Sequence, residues 1–542
     1  MCEVVKSNFQ ELYPKIEKSL KKSAFIAIDS EFSGLVSHSK LKNSLFDTSA
    51  DRYLKLKCSI EQFTIFQFGL AIFHYSRDDN KYTADVYSFY TFPCSFGPID
   101  NRFLCQATSW EFLQAHNFNF NKVAYEGVPF LSEVQENEIR KQLGAGTMFS
   151  NVERSLSYRD EDLLQAECSR VAQWLPLAAL GDTMDIVVND TQYSLIYFLH
   201  KELRTRFKDV WTFPHRDKVQ VKKMSAEEIQ KAQESEGSQL DSSLIHNLLG
   251  FTKVFKLLVA LKKPIIGHNL LLDLMILYNQ MYEPLPSTYE AFKKKINILF
   301  PSIHDTKFIS YQVRQLLKKQ ETWSSNSLDH LYTYFSTNKG LSLASFSPTI
   351  KVNESECGHI ENVENHVHEA AWDAYMSGYC FIRLAHFLAI RRLGEGALPR
   401  PLSRIEHLSA VADYCNCINV IRGNVSHMNI GGKEPLSNRP RPLYISRLDR
   451  KPIDIDKVTA LMASYGSVDV KAHTVSSALI AVSSRQSARD IVKAYVADKE
   501  YRVVPYSYLR HSSLLSTISW SGLILSGTVC AAVLISSAVV RK

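Results

Sequence analysis

Residues 25–35 read F-I-A-I-D-S-E-F-S-G-L, an apolar run into which two carboxylates, Asp29 and Glu31, are set two positions apart. A short run rich in isoleucine and phenylalanine fits a buried strand. Side chains two apart on a strand share a face, so both acids project from one side of a segment whose other positions enter a core. Two anions side by side repel unless a cation lies between them. Hard oxygen ligands on a rigid element suit Mg²⁺ or Mn²⁺, which take few protein carboxylates and keep positions for water and phosphate. A bare Asp-x-Glu is more often the edge of a solvated strand, so the pair gains meaning only from acids elsewhere in the chain.

At 542 residues the chain is long enough for two or three domains, and 45% hydrophobic residues with 11% aromatics give each a core. A formal charge of +7 permits a polyanionic partner without requiring one. The ten cysteines are scattered with no C-x-x-C pair, and the start M-C-E-V-V-K lacks the apolar centre of a secretory signal. Reduced thiols and a cytosolic body follow, and a disulfide-stapled secreted scaffold is excluded. The other end differs in kind. Residues 520–540 carry no charge, and Arg541 and Lys542 follow them. That length spans a bilayer as a helix, and the flanking basic residues favour insertion. The expectation is a single-pass tail anchor at 518–540 that leaves the catalytic body in the cytosol, on the mitochondrial outer membrane or the endoplasmic reticulum.

Taken in order, residues 1–150 show an α/β pattern: a basic amphipathic stretch to Lys22, the acid-bearing strand, then E-Q-F-T-I-F-Q-F-G-L-A-I-F and Y-T-A-D-V-Y-S-F-Y-T-F as further strands. Strands in succession with few helices between them predict antiparallel neighbours. Helical spacing then places Phe103, Trp110, Phe112 and Leu113 in the core. Residues 151–245 are richer in charge and end in the polar run S-A-E-E-I-Q-K-A-Q-E-S-E-G-S-Q-L, which predicts an inserted module with a solvated helix or linker. Within it, Lys201, Arg204 and Arg206 lie on an amphipathic helix whose charges face solvent or meet phosphates. The α/β pattern resumes over 246–395. There H-N-L-L-L-D-L-M-I-L-Y-N-Q is an apolar helix with one acid, Asp273, costly to bury unless paired or metal-bound. Asp305, in I-H-D-T-K-F-I-S, reads as a helix cap or a support for ligands rather than a ligand. In H-E-A-A-W-D, His368 and Asp373 are five apart, about 140° around an ideal helix, so they share a face only if His368 precedes the helix. Asn365 is an available cap there.

Asp29, Glu31, Asp273 and Asp373, with His368 beside the last, make up the set a two-metal phosphodiesterase needs. Two cations clamp the attacking and leaving oxygens of an in-line displacement. An imidazole that titrates near neutrality takes the proton from water.

The strings F-I-A-I-D-S-E-F-S-G-L, C-Q-A-T-S-W-E-F-L, F-N-F-N-K-V, G-H-N-L-L-L-D, H-D-T-K and H-E-A-A-W-D-A-Y together resemble the poly(A)-specific ribonuclease (PARN) branch of the DEDD 3′→5′ exonucleases over about residues 1–390. By that resemblance Asp29 and Glu31 match the first acidic motif, Asp273 the second, and Asp373 with His368 the third. The resemblance implies two Mg²⁺ or Mn²⁺ ions on the four acids and release of nucleoside 5′-monophosphates. The implied architecture is α/β: a ribonuclease H-like core in two parts (1–150 and 246–395), an inserted small module (151–245), a degenerate RNA-recognition-motif-like α+β domain (405–510) and a C-terminal transmembrane helix (518–540). The module stands where the family carries an Arg/His-motif RNA-binding domain, but Tyr193 and Ser194 occupy positions where basic residues are expected. In the 405–510 domain, with L-Y-I-S-R-L as first strand, the third strand lacks base-stacking aromatics and Tyr444 alone holds a stacking-like position. A protein-binding or dimer-supporting role is therefore as open as RNA binding. With its tail, the chain is similar to the tail-anchored, PARN-like members of the family, the Trimmer nucleases, which shorten the 3′ ends of piRNA precursors. The partners so implied are a single-stranded RNA 3′ end, an Argonaute/PIWI or Tudor-type protein holding the precursor, and a second copy of the chain. Two rivals stand: a general poly(A) deadenylase with the same chemistry, and a membrane-tethered RNA-binding scaffold with vestigial acids.

Overall fold

The computed structural model describes residues 1–38, 41–96, 99–146, 148, 156, 158–189, 191–215, 218–317, 322–353, 368–394, 400–437 and 439–511. They form two compact units. The first comprises Met1–Lys42, Tyr53–Asn419 and His427–Lys433; the second comprises Asn43–Arg52, Val420–Ser426 and the described residues from Glu434 on.

The first unit is built on an eight-stranded sheet of β1 (Cys2–Val4), β2 (Phe25–Phe32), β3 (Ile65–Ser76), β4 (Lys81–Pro93), β5 (Val128–Phe130), β6 (Ile265–Gly267), β7 (Ile303–Asp305) and β8 (Thr349–Val352). The main path runs β1-β4-β3-β2-β6-β7. Strands β2, β3 and β4 are antiparallel neighbours, as their close succession in sequence requires, while β6 lies parallel to β2 and β7 parallel to β6. Three short parallel strands tile the far edge of β4: β8 at its start, β1 at its middle and β5 at its end. A long strand edge that would otherwise present unpaired N–H and C=O groups is thereby covered.

Strand β2 lies in the interior of this sheet, with residues 25–28 all buried. One face receives the helix Ala370–Leu393, where Phe25 stacks on Phe73 at 4.7 Å and meets Phe381 edge-on at 5.2 Å. Gly378 admits Phe73 so closely that a Cβ there would lie 2.1 Å from the ring. On the other face Phe251, leading into the helix Thr252–Leu261, contacts Phe68 at 4.9 Å and Phe89 at 5.1 Å. Helices on both faces bury the sheet, the arrangement in which continuous apolar strands are stable.

Residues within 151–245 fold on their own small core. A three-stranded antiparallel sheet of Thr183–Val187, Lys218–Lys223 and Val210–Pro214 packs Val219 and Val221 against Leu164, Val171, Leu199 and Leu203 of the helices Tyr158–Trp174 and Tyr193–Arg206. The helix Ala226–Glu236, which carries the polar run, buries none of its residues.

The second unit holds β9 (Leu443–Arg447), β10 (Val468–Thr474), β11 (Ser477–Val482) and β12 (Tyr501–Pro505), all antiparallel, in the order β10-β11-β9-β12. The helices Ile455–Ala463 and Arg485–Ala494 cover one face through Val458, Met462 and Ile491 on Leu443, Ile445 and Ile480. Residues 43–52 join this unit through Arg52, only 3% exposed, which pairs with Asp47 at 3.2 Å and donates to the carbonyls of Ile421 and Arg422 at 2.7 and 2.8 Å.

Among the described residues no helix is long and apolar enough to cross a membrane. The run at 520–540 lies outside the described residues, as does Asn365. One expectation is overturned: Trp110 and Phe112 are not core residues but are 38% and 45% exposed, and of the four aromatic and aliphatic positions only Leu113 is fully buried. The helix there, Ala107–Ala115, is nine residues long and lies on the surface with one buried side chain.

Candidate active site

The two-residue period of β2 puts Asp29 and Glu31 on the face that meets the helix Ala370–Leu393, and that helix carries Asp373 in its first turn. Two residues of β3 allow the helix to start so close. Gly69, opposite Asp29, has no side chain where a Cβ would lie 1.9 Å from the Ala370 carbonyl oxygen. Gln67, opposite Glu31, accepts the backbone N–H of Ala370 on Oε1 at 3.0 Å, satisfying one of the donors a helix start leaves open. As a result Asp29, Glu31 and Asp373 each place a carboxylate oxygen within 4.8 Å of the others.

Asp273 arrives from a different direction. It stands in the first turn of the helix Leu271–Leu277, after β6 and a turn in which Asn269 adopts φ +68°. This turn is held by Asp305 at the end of β7. The fully buried Asp305 carboxylate accepts the N–H groups of Asn269 at 2.9 Å, Leu270 at 3.3 Å and Asn419 at 2.9 Å, and caps the helix Thr306–Leu316 through Lys307 and Phe308. Burial raises the proton affinity of this carboxyl and the amide donors hold it down in part; with its oxygens taken up by backbone N–H groups, Asp305 supports the site without belonging to it. Asp273 itself is 7% exposed and lies outside the 4.8 Å set, but its charge acts on both Asp29 and Glu31.

Burial is the main cause that raises the proton affinity of all four acids. For Asp29 and Glu31, repulsion from Asp273 and Asp373 adds to it. Four buried carboxylates, with the charges of Asp273 and Asp373 pressing on Asp29 and Glu31, form a donor set that fits a hard divalent cation.

His368 sits two residues before the helix, at φ +66°. That position resolves the five-residue spacing, because the imidazole is not on the helix and its backbone N–H is directed at the Asp373 carboxylate. The ring lies 4.1 Å from that of His116 and 5.0 Å edge-on from that of Phe112. Burial, with a smaller contribution from His116, lowers its proton affinity. Phe112, 45% exposed, lies against this imidazole. Gly69, Gln67 and His116 escaped sequence reasoning; only the glycine leaves a signal, as an isolated Gly inside a strand pattern marks close backbone approach.

The three basic residues of the helix Tyr193–Arg206 singled out above pair with acids of the same part of the chain, Arg204 most fully. Arg204 pairs with Glu236 at 2.5 Å, donates to Thr212 and lies 3.8 Å over the ring of Trp211. Arg206 pairs with Glu202 at 2.8 Å, and Lys201 with Asp241 at 3.4 Å. His200 is fully buried against Thr212 Oγ1 at 2.7 Å.

Residues 4–381 match the family described as CAF1 family ribonuclease. Over 534 residues, 97% of each chain, the sequence is 37% identical to the pre-piRNA 3′-exonuclease trimmer of Bombyx mori. It is 31% identical over 518 residues, 94% of each chain, to the poly(A)-specific ribonuclease PNLDC1 of Mus musculus. Against the poly(A)-specific ribonuclease PARN of Xenopus laevis it is 27% identical over 543 residues, 93% of this chain and 80% of that one. With a match that takes in β2, Asp273 and the start of the helix bearing Asp373, the chain belongs to the CAF1/PARN family of ribonucleases.

Proposed function

We propose that the chain is a divalent-metal-dependent 3′→5′ exoribonuclease of the DEDD type with histidine, which trims single-stranded 3′ ends of piRNA precursors. The observation that carries the reading is the convergence of Asp29, Glu31 and Asp373 within 4.8 Å, with Asp273 acting on the same acids. Asp29, Glu31, Asp273 and Asp373 would hold two Mg²⁺ or Mn²⁺ ions, which when bound stabilise the charge that develops on the attacking and leaving oxygens. His368, kept neutral by burial, takes the proton of the attacking water. Its ring packs against those of Phe112 and His116, so the base is oriented before substrate arrives. The choice of piRNA precursors is supported by a relative named as a pre-piRNA trimmer, 37% identical and aligned over 97% of both chains.

A poly(A) deadenylase is the second reading, favoured by the naming of the other relatives as poly(A)-specific. We also place the chain on a membrane through residues 518–540, as a tail anchor with a cytosolic catalytic body on the mitochondrial outer membrane or the endoplasmic reticulum. There it would act as a homodimer on precursor held by an Argonaute/PIWI or Tudor-type partner.

The purified chain, given Mg²⁺ and RNA with a free 3′-hydroxyl, is expected to shorten it stepwise and release 5′-monophosphates. Asp29→Ala should slow this on the order of 10³-fold, the several kcal/mol a metal clamp supplies. Trimming by Asp29→Ala at the parent rate would remove the site assignment. Strong preference for an A-tail over mixed sequence would transfer the assignment to the deadenylase. Ending the chain at residue 517 should release it from membranes with activity retained; persistent membrane association would place the anchor elsewhere.

A further inference from the structure

Among the described residues, the sheet of the second unit has the helices Ile455–Ala463 and Arg485–Ala494 on one face and neither on the other. Leu443 and Ile445 point into the helical side, 2% and 0% exposed, so Tyr444 between them belongs to the open face. Residues directly opposite on antiparallel strands point the same way, and the register therefore sets Lys471, Leu479, Tyr444 and Val504 in one row across β10, β11, β9 and β12, with Ser446 and Arg502 in the next. Lys471 and Arg502 are exposed. One aromatic flanked by cationic side chains on an open sheet is the chemistry that takes an unpaired nucleobase and its phosphates.

The place over Tyr444 is filled. After β12 the chain turns back, with the Tyr506 N–H donating to the Pro442 carbonyl at 2.9 Å, and lays His511 on Tyr444 at 4.3 Å and 11°, a parallel stack. The stack is fixed at several points. His473 Nε2 donates to the His511 carbonyl at 2.7 Å, and the Ser507 N–H donates to His511 Nδ1 at 3.0 Å. His473 and Tyr506 close the sides of the cluster, with Tyr444 edge-on to His473 at 5.8 Å and Tyr506 5.7 Å from His511. Arg510 adds a further cation beside it.

We propose that His511 is a built-in occupant of a nucleobase-stacking site on this face, so that single-stranded RNA reaches Tyr444 only when residues 506–511 release. The planar imidazole stands where a base would stack, and the segment's hydrogen bonds to the sheet hold it there. This inference is independent of the nuclease reading, because it concerns binding alone.

The test uses the full chain in mild detergent, with Asp29→Asn in every variant to prevent shortening of the probe. The probe is a ten-nucleotide mixed-sequence RNA carrying 4-thiouridine, read by fluorescence anisotropy and by mass-spectrometric mapping of photocrosslinks. His511→Ala is expected to tighten binding on the order of tenfold, the worth of one base stack, and to bring crosslinks onto the peptide containing Tyr444. His511→Phe, which keeps the stack, should behave as the parent does. Adding Tyr444→Leu to His511→Ala should cancel the gain. The parent itself should show no crosslink at Tyr444, a measurement that needs no variant of the segment. Parent crosslinks at Tyr444, unchanged affinity in His511→Ala, or a gain that survives Tyr444→Leu would each overturn the proposal.

Discussion

At the level of single residues, the acids of the candidate site weaken the fold that holds them. A carboxyl whose proton affinity is higher in the folded than in the unfolded chain loses stability as pH rises from the unfolded value to the folded one, so by neutral pH a large part of the penalty is in force. Burial and mutual repulsion put Asp29, Glu31, Asp273 and Asp373 in that position. Asp29→Asn removes one of the charges without changing the shape. In EDTA it should raise the apparent melting temperature, by less than the about 2–4 °C per 1 kcal/mol of a domain of about 150–250 residues because the first unit is larger. Mg²⁺ should stabilise the parent and leave Asp29→Asn nearly unmoved, and a parent insensitive to Mg²⁺ would contradict the cation set. Asp305, whose proton affinity burial also raises, differs in having its carboxylate tied to backbone donors. Its five amide donors lose their acceptor in Asp305→Ala, which should destabilise the chain by about 3–5 kcal/mol in denaturant titrations, the scale of a buried charged group removed from its partners.

At the level of elements, the site depends on how closely the helix Ala370–Leu393 begins against β3. Gly69→Ala would put a methyl group 1.9 Å from a backbone oxygen that cannot rotate away, so the helix start must shift and carry Asp373 with it. A displacement of about 1 Å at a catalytic group costs on the order of 10²-fold in rate; turnover of Gly69→Ala measured beside Asp29→Ala checks this, and full activity would show that the contact is not limiting. The acid pair on β2 was legible because a period of two inside an apolar run has few explanations. The position of His368 was legible as a condition, since its spacing from Asp373 works only if it precedes the helix, and φ +66° two residues before Ala370 meets that condition. Trp110 and Phe112 were misjudged because aromatic spacing on a short helix looks the same whether its face meets a core or a site. The recruitment of residues 43–52 by Ile421 and Arg422 left no trace at all: the contacts join positions about 370 apart in sequence, and a buried arginine in a helix looks like any surface arginine until its partners are placed.

At the level of the whole molecule, the buried histidines tie stability to pH. In the first unit Tyr82 Oη lies 2.9 Å from His407 Nδ1, His407 Nε2 lies 3.1 Å from His386 Nδ1, and His386 Nε2 lies 2.8 Å from the Ser345 carbonyl. The carbonyl can only accept, so His386 donates from Nε2 and accepts on Nδ1; His407 then donates from Nε2 and accepts from the tyrosine hydroxyl. Every position in this relay is satisfied with both rings neutral; a proton on His386 Nδ1 would set two N–H groups against each other at 3.1 Å, and one on His407 Nδ1 would displace the tyrosine O–H from its acceptor. Burial accordingly lowers the proton affinity of both, to about 4 for His407, and does the same to His200, to about 3, and His304, to about 4. A histidine whose folded value lies below its unfolded value of about 6.5 contributes stability above 6.5 and loses it as pH falls toward the folded value. His407, His200 and His304 should therefore each cost about 1.3 kcal/mol between pH 7.5 and 5.5. The acid cluster works in the opposite sense, so the effect is read as a difference between two chains in which that cluster is unchanged. Thermal unfolding of the parent should fall more steeply over this range than that of His407→Gln, whose amide does not titrate, and parallel pH dependence in the two chains would mean that the histidine relay already takes up a proton in the folded state.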